Sequence, residues 1–141
     1  MPKHYGFLMP LETAVVFEEA KSTFVYGNFV ATVVLAAAFV EHWFVASLAS
    51  RGYEKEASRG LAACIKFARD HSLVDGLVLD KADQLRLIRN PFVHLKSYDH
   101  QHNIGQRAWR YKIDPWALLE NDAKEALIAM YGVARYAFSS Q

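Results

Sequence analysis

Between Phe29 and Leu48 the chain carries the run FVATVVLAAAFVEHWFVASL, which is apolar on nearly every side of any helix it could form. Such a helix has almost no solvent face and belongs either at the centre of a bundle or in a bilayer. The run is about long enough to span a membrane. Glu41 and His42 interrupt it near its middle, however, and an ionised residue at bilayer depth costs roughly 2.5 to 3.5 kcal/mol on insertion scales. The expected place is therefore the core of a helical bundle, with no membrane association.

The rest of the chain fits that core. Strand-like alternation is nearly absent, and the apolar spacing predicts an all-α, up-and-down bundle of about five helices. A first helix over Leu11 to Tyr26 has Ala14, Phe17, Ala20 and Phe24 on one stripe and ends at Gly27-Asn28. The apolar helix follows, over Phe29 to Ala49. A third, Glu54 to His71, turns Leu61, Ile65 and Ala68 inward and a row of charges outward. A fourth starts near Asp80 and carries Leu85 and Ile88 up to Pro91, where Asn90 as a cap and proline at the next position predict a kink or restart. A long polar loop from Leu95 to Ile113 precedes a last helix that opens at Asp114-Pro115 and runs to about Phe138. Its stripe is Trp116, Leu119, Ala123, Leu127, Met130 and Ala134.

With 141 residues, 52% of them hydrophobic, and a formal net charge of +1, the sequence reads as a single domain over residues 1–141 able to bury a core. Near-neutral charge argues against a surface built throughout for nucleic acid, so any such role is a local site. A single cysteine, Cys64, excludes an intrachain disulfide framework and a cysteine-rich zinc site. It reads as a small core residue. The N-terminal MPKHYGFLMPLE has neither the apolar core nor the cleavage pattern of a signal peptide. The expected address is the cytoplasm.

The chemistry concentrates in Arg89-Asn90-Pro91-Phe92-Val93-His94. A fixed planar cation suits a phosphate, an amide holds an oxygen or orients a neighbour, and an imidazole takes and returns a proton near neutral pH. Those are the groups that RNA backbone cleavage needs without a metal. Upstream, Glu41 in its apolar helix needs a partner, and Arg89 and Arg86 are the candidates. Downstream, Arg107, Trp109, Arg110, Tyr111 and Lys112 interleave cations with rings, as single-stranded RNA contacts do. His100 and His102 lack a convincing third ligand, so neither a metal nor a cofactor is expected.

Motif, helix order and position together resemble the HEPN superfamily, named for higher eukaryotes and prokaryotes nucleotide-binding. Its signature is an Arg with a polar residue directly after it and a His a few residues on. Arg89, Asn90 and His94 match, with four residues between Arg89 and His94. The run A-x-x-x-F-x-x-G-N-x-x-A with the helix ending in FVEHWF resembles the first two helices of such domains, and DPWALLENDAKEAL their closing helix. The likeness extends from about Leu11 to Phe138.

The resemblance implies a homodimer in which the motifs of two copies face one cleft, and a metal-independent endoribonuclease activity. For toxin members it also implies an antitoxin partner. His94 is then the general base or acid, Arg89 the stabiliser of phosphate charge, and Asn90 an orienting group, with a 2′,3′-cyclic phosphate as product. In one toxin branch a Tyr lies two residues after the His and is nucleotidylated by a partner. Here Lys96 holds that position, with Tyr98 the nearest tyrosine, so silencing of that kind is not implied. Many members only bind or scaffold, and the alternative function is a non-catalytic nucleotide- or RNA-binding module or a structural dimerisation partner.

Overall fold

The computed structural model describes residues 9–139. Of these, 78% are helical and none lies in a strand. The helices are α1 (Leu11–Val25), α2 (Phe29–Ser50), α3 (Glu54–Ala57), α4 (Leu61–Asp70), α5 (Gly76–Val93), α6 (Ile104–Tyr111) and α7 (Pro115–Ser139). The first eight residues, which the reading of the N-terminus includes, lie outside the described residues.

The all-α bundle expected from the spacing is present, organised around α2. This helix packs most heavily on α1 and α7 and also meets α3, α4 and α5. Val33, Ala36, Ala37 and Val40 are fully buried along it, and Phe44 and Leu48 extend the core to its C-terminal end. Each large apolar side chain buried this way contributes about 1.5 to 3 kcal/mol. By length and composition α2 is the one described helix apolar enough to cross a membrane; here the other helices bury its inner face, while Val30 and Val45 stay exposed.

Local chemistry sets the helix ends. Gly27, with φ +78°, closes α1 as its N–H bonds the Phe24 carbonyl, and Asn28 N–H reaches the Thr23 carbonyl at 2.8 Å. The chain can then double back, and α1 is tied to α2 by the Thr13 hydroxyl against His42 Nδ1 at 2.9 Å and by Thr23 against Thr32 at 3.0 Å. Phe17 packs on Phe39 and on the ring of Tyr131, joining α1 to α2 and α7.

Four expectations are corrected. The segment Glu54 to His71 is two helices, because Gly60 adopts φ +97°, outside the helical region, and α4 restarts after it. Within the second piece Leu61, Ile65 and Ala68 are buried, as their spacing predicts. Next, α5 starts at Gly76, where Asp75 accepts the Leu77 N–H at 2.8 Å and caps the helix. It runs without restart through Pro91 to Val93. Proline is tolerated because only the last turn remains beyond it, and that turn is closed by His94 N–H on the Asn90 carbonyl at 2.8 Å.

Third, the expected long loop contains α6, whose C-terminal end is closed by Lys112 at φ +55° and by Ile113 N–H on the Ala108 carbonyl at 3.0 Å. The bundle therefore has seven helices among the described residues, not five. Fourth, the stripe of α7 starts later. Asp114 caps it by accepting the Ala117 N–H at 3.0 Å, and Leu119, Ala123, Met130 and Ala134 are buried, but Trp116 in the first turn is 74% exposed.

Candidate functional site

The end of α5 carries the motif, and the helix period separates its members. Leu79, Ala82 and Leu85 are buried. Arg89, one turn beyond Leu85 and two beyond Ala82, continues that inner side toward α2, and its side chain is only 16% exposed. A guanidinium so enclosed requires acceptors. It finds two: Nη1 donates to Glu41 Oε2 at 3.4 Å, while Nε and Nη2 both donate to Asn90 Oδ1, at 3.2 and 2.9 Å.

Asn90 is thus an orienting group for Arg89, not the N-cap of a new helix. Glu41 takes Arg89 as its partner. Arg86, the other candidate, donates Nε to Asp83 Oδ1 at 2.8 Å, one turn back on its own helix, and does not reach Glu41. The Glu41 contact is longer than the 2.7 to 2.9 Å of a tight charge-assisted bond. Of the five N–H groups of a guanidinium, three are engaged, and the remaining two are uncommitted among the described residues.

His94 lies just past α5 as its C-terminal cap residue, with extended backbone angles. Its side chain is exposed, and its ring has no hydrogen-bond or ionic partner among the described residues. The arrangement is a fixed, partly enclosed cation on the last turns of α5, followed in the chain by an exposed imidazole at the helix cap.

The segment from Arg107 to Lys112 divides into two roles. Arg107 is withdrawn from solvent contacts: Nη1 and Nη2 make parallel bonds of 2.7 and 2.8 Å to the two oxygens of Asp122, a carboxylate that is itself 2% exposed. The pKa of Arg107 is raised, first by these hydrogen bonds. It anchors α6 on α7 and is not free to meet RNA with its full charge. Trp109 and Tyr111, by contrast, are 81% and 62% exposed. Arg110 caps the Gln101 carbonyl at 3.1 Å and lies over the Tyr111 ring. Lys112 is exposed at the turn.

Asp122 was legible only as an early acidic residue of α7. Its position between Leu119 and Ala123 on the buried stripe is the signal that a partner had to exist. Elsewhere, Cys64 is buried, and desolvation first, then the charge of Glu41, raises its pKa. His100 and His102 have rings 5.4 Å apart. Among the described residues no three His, Cys, Asp or Glu side chains converge to hold a metal.

A cavity of about 330 Å³ opens between α5, α6 and α7, lined by Lys81, Gln84, Ile88, His102, Arg107 and Tyr111 among others. It takes the α5 face beside the one that carries Arg89, and neither Arg89 nor His94 lines it. Comparison with family models, with curated proteins and with solved structures finds no match to this chain.

Proposed function

We propose that this chain is a HEPN-type, metal-independent endoribonuclease that acts in the cytoplasm as a homodimer with a composite site. The observation that carries the reading is the Arg89 guanidinium held by Glu41 and Asn90 on the last turns of α5, followed by an exposed His94 with no other partner among the described residues. In this mechanism His94 of one copy takes the proton of a ribose 2′-hydroxyl, and the 2′-oxygen attacks the adjacent phosphorus. The 5′-oxygen leaves with a proton from the second copy's imidazole, giving a 2′,3′-cyclic phosphate and a 5′-hydroxyl. The uncommitted N–H groups of Arg89 stabilise the charge that builds on the phosphate oxygens. In a toxin setting, an antitoxin would cover this cleft.

One observation favours a second reading, a non-catalytic nucleotide- or RNA-binding module or dimerisation partner. Arg89 is only 16% exposed and already carries a carboxylate, so its charge is partly spent inside the protomer. Incubation of the purified protein with a mixed RNA pool in EDTA, beside the Arg89→Ala and His94→Ala variants, separates the two. Cleavage that persists in EDTA, ends in cyclic phosphate and is lost in both variants supports the nuclease. Cleavage by His94→Ala at the parent rate, or activity abolished by EDTA, overturns the mechanism. RNA binding without cleavage selects the second reading.

A further inference from the structure

The cavity between α5, α6 and α7 combines three properties. Its volume of about 330 Å³ lies at the small end of the range of about 300 to 1,000 Å³ typical of ligand pockets. Its floor is apolar, formed by Leu85 and Ile88 of α5 and Ala129 of α7. Its walls carry polar side chains, and those of Lys81, Gln84 and Glu125 have no hydrogen-bond or ionic partner among the described residues.

Charge narrows the occupant. Arg107 is bonded to both oxygens of Asp122, and Glu125 shares the lining with Lys81. A phosphate or carboxylate would meet Glu125 as well as Lys81 there, and the lining offers it no free guanidinium fork. Hydrogen bonding narrows it further. Burial first, then the positive charges of His100, Arg107, Arg110 and Arg86, hold the His102 pKa below the ordinary histidine value. A neutral imidazole presents one donor and one acceptor, the amide of Gln84 presents two donors and a carbonyl acceptor, and Tyr111 adds a ring face and a hydroxyl. The matching ligand is uncharged and flat, with apolar faces and alternating donors and acceptors on its edge. A sugar ring is puckered, not flat, and a lipid tail has no such edge.

We propose that this cavity binds a nucleobase, either in a free nucleoside or as one unstacked base of an RNA strand. The site is independent of Arg89 and His94 and stands whether or not the chain cleaves RNA.

The test is a nuclear magnetic resonance titration of the full chain, following the ring signals of His102 and Tyr111, with adenosine, guanosine, cytidine, uridine and a short unstructured RNA oligomer. Saturable shifts at both rings are expected with at least one probe, and Gln84→Leu or Tyr111→Ala should weaken that binding about tenfold. Both replaced side chains are exposed, so the variants retain the bundle. Binding of a nucleoside identifies a free ligand; binding of the oligomer alone identifies a base presented by a strand. No shift with any probe, or binding unchanged in both variants, overturns the proposal.

Discussion

Arg107 and Asp122 are joined by two parallel hydrogen bonds, of 2.7 and 2.8 Å, with side chains 15% and 3% exposed. The pair fastens α6 to α7 where the sequence alone suggested a loop. Removal of one partner leaves the other buried and uncompensated. Asp122→Ala should therefore lower stability by about 3 to 5 kcal/mol, while replacing both residues by well-packed apolar ones costs much less. Urea unfolding of the single and double variants measures the difference; a loss under about 1 kcal/mol would show the pair to be solvated.

Arg89 and Glu41 form a looser contact, and its consequences are graded. If the chain is a nuclease, Arg89→Ala should lower kcat by about 10² to 10³, the scale for losing a group that stabilises developing charge. Glu41→Gln keeps the shape but removes the charge that orients Arg89, and should cost about tenfold. Arg89→Lys should fail to restore activity, since an ammonium has no fork to reach Asn90 and Glu41 together. Single-turnover cleavage rates give the order directly.

His102 makes stability depend on pH. Its folded pKa is depressed, so the unfolded chain binds the extra proton more readily. Its contribution is fully present above the unfolded value of about 6.5 and is lost as pH falls from there through the lower folded value. The groups around it are His100, Arg107, Arg110 and Arg86, with Lys81 and Glu125 across the cavity. Urea midpoints taken at about pH 7.5 and about pH 5.5, on either side of the unperturbed value, should fall more in the parent than in His102→Gln. An equal fall in both would assign the pH response to other groups.

Trp109 stands on the outer side of α6, 81% exposed, with no ring partner among the described residues. If this surface meets single-stranded RNA, Trp109→Ala should weaken binding by about 1 to 3 kcal/mol, the worth of one base stacked on an aromatic ring. Its stability should stay near that of the parent. Fluorescence anisotropy with a labelled oligomer checks the first statement and thermal unfolding the second.

Gly60 gives a prediction about the fold. Open space surrounds the position of a Cβ there, so the cost of Gly60→Ala comes from its φ of +97° alone. A loss of about 1 kcal/mol is expected. A stabilised variant would mean that the chain can join α3 and α4 into the single helix suggested by the spacing.

The apolar run around Val33 to Leu48 determined, by itself, that the protein is a helical bundle with α2 at its centre, since no other element could hide so many apolar side chains from water. Gly27, Asp114 and Pro115 likewise marked real helix ends, because a positive φ, a capping carboxylate and a missing N–H act locally. The buried faces of α4 and most of α7 were legible for the same reason: their spacing is the helix period.

Tertiary contact decided what local chemistry left open. Only the packing of α5 on α2 selects Arg89 over Arg86 as the partner of Glu41, residues 48 positions apart in the chain. Only the seat of α6 on α7 turns Arg107 from a surface cation into the partner of Asp122. The cavity beside Gln84 and His102 exists solely because three helices meet there. Pairings of this kind depend on which faces come together, and a sequence read residue by residue specifies the faces before it specifies their neighbours.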